Sequence, residues 1–364
     1  MTPKTNIFDF SKSEIGVWLL DHGLKKYALN QILQWLYQKR VTSFEEMTNI
    51  AKETRNLLAD CFEIRPLEVD ERHHSAVDGA TKYLFRLGDG NGIETVLMPI
   101  ENKTSKRLTL CISSQVGCAM DCRFCKTAEM KFVRNLTQAE ILGQIIGVQK
   151  DMAKSPQPPF VKGGFLRITN IVMMGMGEPF LNYETVIRAI RLMVDDFALG
   201  LSQRKITVST VGIAPRIESF AKDARVKLAL SLNATTEEGR IALMPIARKY
   251  PLDQVIEACR KYAFESGNKV TFEYVMMTGV NDSLEDAKRL VRIASNVPCK
   301  INLIPYNEYP GSPYQRPSEE KIRVFFQYLA DRHFQVNIRY SKGLDVMAAC
   351  GQLATDRLTL HLRS

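Results

Sequence analysis

No stretch of the 364 residues approaches the length of an apolar membrane span. The N-terminus lacks the succession of charged, apolar and small residues that marks a secretory signal. Short-period repeats and long low-complexity tracts are missing as well, which excludes stacked-repeat and fibrous designs. Histidine is scarce: five residues, His22, His73, His74, His333 and His361, are scattered with no ligand spacing. These absences leave a cytoplasmic globular protein as the expectation. Thiols stay reduced in that compartment, so the eight cysteines predict metal or redox chemistry rather than structural disulfides.

What the chain does have is charge of one sign and thiols. A net charge of +9 and a pI near 9.1 suit an anionic partner, with nucleic acid as the obvious candidate, or simply a solvated basic surface. The hydrophobic content of 45% is enough for one large domain and a small one.

Residues 1–70 read as a small helical domain. Ser11 and Glu14 form a capping box, and "LNQILQWLYQKR" places apolar residues at helical spacing. Lys25, Lys26, Lys39, Arg40, Lys52 and Arg55 make this segment basic, as an RNA-binding accessory module or as ordinary solvated helix faces. Residues 71–106 read as a β-hairpin linker, with "TKYLFRL" and "GIETVLMPI" joined through "GDGN". From 107 to 345, apolar strands alternate with helices in six successive βα units, followed by a seventh strand, "FQVNIRYS". That order predicts a parallel barrel or a doubly wound sheet with both faces covered. The stretch "KSPQPPFVKGG", 154–164, is a Pro/Gly-rich loop, and residues 346–364 form a C-terminal segment.

In such folds the chemistry sits in loops at the carboxyl ends of the strands. Cys118, Cys122 and Cys125 follow the first strand, and Gly177 and Glu178 the second. Ser209 ends the third strand, Ser231 and Asn233 the fourth, and Asn307 follows the sixth; all are expected on one rim. Cys111 lies seven residues before Cys118, inside the apparent strand "TLCI". Four thiols could close around a structural zinc ion. Three could instead hold a four-iron cluster with one iron left open to a cofactor.

Cys-x3-Cys-x2-Cys after the first strand of a partial barrel resembles the radical SAM enzymes, which implies a partial (β/α)6 barrel, a [4Fe-4S] cluster and S-adenosylmethionine (SAM). The flanking "ETVLMP", "TLCISSQVGCAMDCRFC", "FVRNLT", "NIVMMGMGEPFLN", "VSTVGIAP", "CKINLIPYN" and "AACGQL" resemble the RlmN/Cfr family of RNA adenosine methyltransferases, from about residue 10 to about 355. The resemblance implies methyl transfer to an electrophilic adenine carbon by way of an enzyme cysteine. Cys350 matches the methyl carrier, Cys111 the cysteine that resolves the RNA–enzyme crosslink by disulfide formation, and Glu94 the proton acceptor. Gly177 and Glu178 match the motif that binds the SAM amino group; Ser209, Ser231, Asn233 and Asn307 match positions around its nucleoside and carboxylate. "GEP" favours carbon 2 of an adenosine in 23S rRNA, and in tRNA, over the carbon-8 (Cfr-type) branch. A reductant such as flavodoxin is implied too. A non-catalytic, cluster-bearing RNA-binding paralogue is the contrasting reading, which the retained Cys111, Cys350 and Glu94 disfavour. Cys61, Cys259 and Cys299 match nothing and read as small apolar residues. Three positions depart from the family pattern: Asn233 stands for a His, Met347 for an Asp and Lys131 for a Gly.

Overall fold

The computed structural model of the protein describes residues 4–102, 105–154 and 167–354. Most of the Pro/Gly-rich loop at 154–164, and the end of the C-terminal segment, lie outside the described residues. No helix among those described is long and apolar enough to cross a membrane.

The N-terminal helices are α1 (Lys12–Asp21), α2 (Ala28–Leu33) and α3 (Lys52–Cys61). Ser11 and Glu14 make the expected capping box on α1. α2 continues through a π-helical turn, Gln34–Lys39, that ends at Arg40 in the left-handed region. A short parallel pair, Thr5–Asn6 against Phe62–Glu63, ties the two ends of this unit together. Lys12 and Glu14 anchor it to the next unit through Asp195 (2.7 Å) and Arg188 (2.6 Å).

One sheet of ten strands organises the remainder, and its spatial order follows the chain. The strands are β1 (Val69–His74), β2 (Thr81–Arg86), β3 (Gly92–Asn102), β4 (Ser105–Cys111), β5 (Asn170–Met173), β6 (Ile206–Thr210), β7 (Lys227–Ser231), β8 (Val270–Met276), β9 (Cys299–Pro305) and β10 (Val336–Ile338). β1 to β4 pair antiparallel. β4 to β10 all pair parallel. The expected hairpin is therefore the middle of a four-stranded meander that runs into the barrel through β3 and β4. Apolar alternation gives the strands but not which neighbour each one meets.

Seven helices follow: α4 (Gln138–Lys154), α5 (Tyr183–Val194), α6 (Ala214–Asp223), α7 (Glu237–Leu243), α8 (Leu252–Ser266), α9 (Leu284–Ala294) and α10 (Glu319–Ala330). Except for the short α7, which the sequence pattern did not signal, each is an amphipathic crossover between parallel strands. The core fills the space between helices and sheet, with Ile171, Val208, Leu228, Phe272 and Ile301 fully buried. Thr137 and Glu140 cap α4 reciprocally, as the sequence predicts. Cys259 and Cys299 are buried and Cys61 is half-buried.

Candidate active site

The loop after β4 carries the three clustered thiols. Its neck is a two-residue ladder, Gln115–Val116 against Arg134–Asn135. Gly117, at φ +70°, lies so close to the returning arm of the loop that a Cβ would fall 1.5 Å from the Lys131 carbonyl oxygen. The Cys118 N–H donates to that same carbonyl at 3.2 Å. The far side of the loop is sewn to the C-terminal segment. Lys126 N–H donates to the Gly351 carbonyl at 2.7 Å, and the Thr127 hydroxyl to the Leu353 carbonyl at 2.6 Å.

Cys118, Cys122 and Cys125 face one cavity at the carboxyl end of the parallel strands. Burial pushes all three thiols up, Cys118 to about 12, and Cys122 is raised further by its two neighbours. Met120, Met244, Met277, Tyr306 and Tyr309 pack around them as a separate apolar shell. Among the described residues, no three His, Cys, Asp or Glu groups converge tightly enough to hold a single metal ion. Three unbridged thiols lining one cavity suit a multi-iron cluster in which each thiolate takes its own iron. A closed tetrahedral zinc site would need a fourth ligand, and Cys111 does not line the cavity.

The strand-end residues named from the sequence border the same cavity: Gly177 and Glu178 after β5, Ser209 in β6, Ser231 and Asn233 at β7, and Asn307 after β9. Gly177, at φ +93°, packs its backbone where a Cβ would meet Gln115 at 2.4 Å. The buried Glu178 carboxylate accepts N–H groups from Phe180 (3.0 Å) and Val211 (2.9 Å). Burial still raises it to about 7, against the pull of those two donors. A fixed carboxylate at that depth needs a cation to hold it ionised. The Asn233 Oδ1 accepts the Val275 N–H at 3.0 Å. The Asn307 amide donates to the Ser341 hydroxyl at 2.8 Å and to the Cys350 carbonyl at 3.0 Å.

Cys350 lines the cavity from the C-terminal segment. Cys111 is buried at the end of β4, paired with Val172 of β5, close enough to Cys350 for that thiol to disfavour ionisation of Cys111. Glu94, in β3, sits behind this segment. Its carboxylate meets the Lys82 ammonium at 3.1 Å and accepts the Ala354 N–H at 3.0 Å. Lys82 also reaches the Met347 carbonyl at 3.4 Å. All the named site residues thus gather around one cavity and the segment that closes it.

Sequence reasoning missed three charged residues there. Glu273 of β8 and Arg339 after β10 line the cavity, 3.6 Å apart. Arg240 of α7 is fully buried beside Cys122 and donates to the Val211 carbonyl. A lone carboxylate inside the apolar run "KVTFEYVMM" was the visible signal for Glu273, because an unpaired charge in a buried strand is costly.

The three departures share a backbone feature. Lys131, Asn233 and Met347 have φ of +55°, +56° and +52°. Asn tolerates a positive φ; Met347 is left-handed helical and Lys131, at ψ 169°, lies where glycine alone sits readily, each held there at a cost of about 1–3 kcal/mol.

Comparison with known proteins agrees with this geometry. Residues 112–291 match the radical SAM superfamily, and residues 5–64 match the ribosomal RNA large subunit methyltransferase N-terminal domain. The chain is 47% identical to a dual-specificity RNA methyltransferase RlmN of Geobacter sulfurreducens over 97% of its own length and 93% of that protein's. The RlmN of Pelobacter propionicus is also 47% identical, over 97% and 96%. A crystal structure of a radical SAM methyltransferase from Sphaerobacter thermophilus superposes with a TM-score of 0.85 at 39% identity, covering 96% of this chain and 98% of that one.

Proposed function

The chain belongs to the RlmN family of radical SAM RNA methyltransferases, and from that premise we propose that it methylates carbon 2 of an adenosine in 23S rRNA and tRNA through a methylated Cys350. One observation carries the reading: Cys350 and Cys111 meet beside the cavity that the three clustered thiols line, with Glu94 held against the same closing segment.

Cys118, Cys122 and Cys125, as thiolates, would hold a [4Fe-4S] cluster. Glu178 and the Gly177 backbone would receive the SAM ammonium, with Ser209, Ser231, Asn233 and Asn307 around its nucleoside and carboxylate. When bound, cluster and SAM would supply the hydrogen-atom abstraction that none of the chain's own side chains can perform. Cys350 carries the methyl group and, once that hydrogen is lost, presents a methylene radical to the base. Glu94 takes the proton from the base carbon to which the methylene adds, and the single electron that the adduct must also lose would be accepted by the cluster that Cys118, Cys122 and Cys125 would hold. Cys111 then releases the product by forming a disulfide with Cys350. Asn307 has both amide hydrogens engaged, one of them on the Cys350 carbonyl. Taking up a carboxylate there would loosen the methyl carrier, so cofactor seat and carrier are mechanically linked.

The N-terminal unit, residues 1–70, would grip RNA, and a flavodoxin-type donor would supply electrons. The substrates put the enzyme in the cytoplasm.

The two cysteines separate in one experiment. Cys350→Ala should give neither methylated RNA nor any adduct. Cys111→Ala should still carry a methyl on Cys350 and should stall with RNA attached through that residue. Full turnover by Cys111→Ala, read by mass spectrometry of protein and RNA, would remove the two-cysteine route.

A further inference from the structure

We propose that Arg339 is a positioning residue for the final bond exchange: its guanidinium holds the sulfur of Cys111 as an anion facing Cys350. The inference rests on the two-cysteine reading above and adds to it the group that makes Cys111 a nucleophile.

The difficulty lies in the burial of Cys111. Burial pushes its thiol up to about 12, and Cys350 pushes in the same direction. A neutral thiol does not attack sulfur; the thiolate does. One cation faces this thiol. Arg339 is fixed by its backbone N–H, which donates to the Leu303 carbonyl at 2.8 Å. Its side chain reaches the loop just after β5, where Nη1 comes within 3.5 Å of the Met174 sulfur. The Cys111 thiol meets the backbone of the same Met174. Guanidinium and thiol therefore converge at the end of β5, beside the cavity that Cys350 lines.

The counter-charge is incomplete. Glu273 is the carboxylate nearest Arg339, at 3.6 Å, outside hydrogen-bond range. Its Oε1 is taken by the Asn302 amide at 2.9 Å, and its Oε2 has no hydrogen-bond partner. A half-buried guanidinium so loosely paired keeps capacity for a second anion. The groups facing Cys111 are Cys350, Arg339 and the Met174 backbone; those facing Arg339 are Glu273, Cys350 and Cys111.

In the step itself, the Cys111 thiolate attacks the Cys350 sulfur of the crosslink. The S–S bond forms and the bond from Cys350 sulfur to the methylene carbon breaks. The electron pair leaves with that carbon, which takes a proton and becomes the methyl group. Cys111 and Cys350 are oxidised to the disulfide while the carbon is reduced, so no further oxidant is required.

The test compares wild type, Cys111→Ala, Arg339→Gln, Arg339→Lys and the double variant Arg339→Gln/Glu273→Gln, which removes the pair as a unit. Each is measured for iron content, for methyl on Cys350, and for the rate at which the RNA adduct resolves across pH. Arg339→Gln and the double variant should keep iron and methyl. Both should accumulate adduct, resolving it on the order of tenfold more slowly near neutral pH and recovering at alkaline pH as the thiol ionises unaided. Arg339→Lys should resolve it nearly as wild type does. Wild-type resolution in both Gln variants, a slow step indifferent to pH, failure of Lys to rescue, or loss of iron or methyl from both Gln variants would each overturn the role. Absence of an adduct in Cys111→Ala would instead remove the underlying reading.

Discussion

Glu178 shows how far a single residue's environment determines its use. The sequence marks it as a carboxylate after a strand, but not that it is buried with two backbone donors and raised to about 7. Below that pH the group is neutral and cannot pair with an ammonium. Above it, the carboxylate is ionised and binding is favoured, so uptake of the SAM ammonium releases a proton at lower pH. SAM affinity of the cluster-loaded protein should therefore rise from about pH 6 to about pH 8 and then level off. Glu178→Gln should abolish that dependence and weaken binding by roughly 1–3 kcal/mol. Calorimetric titration at several pH values measures both, and a wild-type affinity indifferent to pH would contradict the assignment. Arg339 and Arg240 were not legible as site residues, because an Arg after a strand or on a helix looks like surface until the fold closes over it.

At the scale of elements, the thiol loop depends on its neck. The spacing of Cys118, Cys122 and Cys125 was readable, but the ladder that presents them was not, since two-residue strands carry no periodicity. Gly117 and Lys131 face each other across it, and both have positive φ. Gly117→Ala would drive a methyl group into the Lys131 carbonyl and should open the loop. Iron in the anaerobically purified protein should fall from about four per chain to below about one. Lys131→Gly should leave iron unchanged and raise the stability by about 1 kcal/mol, because it relieves a conformation that Lys adopts poorly. Iron analysis and chemical denaturation distinguish these outcomes; full iron in Gly117→Ala would mean that the neck does not shape the cluster site. The C-terminal segment is the complementary case. The "AACGQL" motif located Cys350, but its attachment to the thiol loop through Gly351 and Leu353 is a tertiary fact that no local pattern carries.

Across the whole molecule, the alternation of strands and helices narrowed the fold to a parallel barrel or a doubly wound sheet, because each βα unit repeats the same local pattern, and the family resemblance pointed to the barrel. The join between the antiparallel strands and the barrel escaped the sequence, since an alternating strand reads alike whether its neighbour is parallel or antiparallel. The result is one sheet that holds Glu94, from the antiparallel part, against the C-terminal segment that carries Cys350, with Cys111 on the adjoining strand. Assembling a carboxylate and two thiols from three regions around a three-thiol cavity is the central claim, and isotope labelling tests it most directly. The enzyme, given SAM with a fully deuterated methyl group, should produce RNA whose new methyl sits on carbon 2 of adenosine. That methyl should hold two deuterium atoms and one hydrogen, because one deuterium is abstracted at Cys350 and a proton completes the methyl after Cys111 releases it. Nucleoside mass spectrometry reads position and label together. A methyl that retains all three deuterium atoms, or one found on carbon 8, would contradict the account.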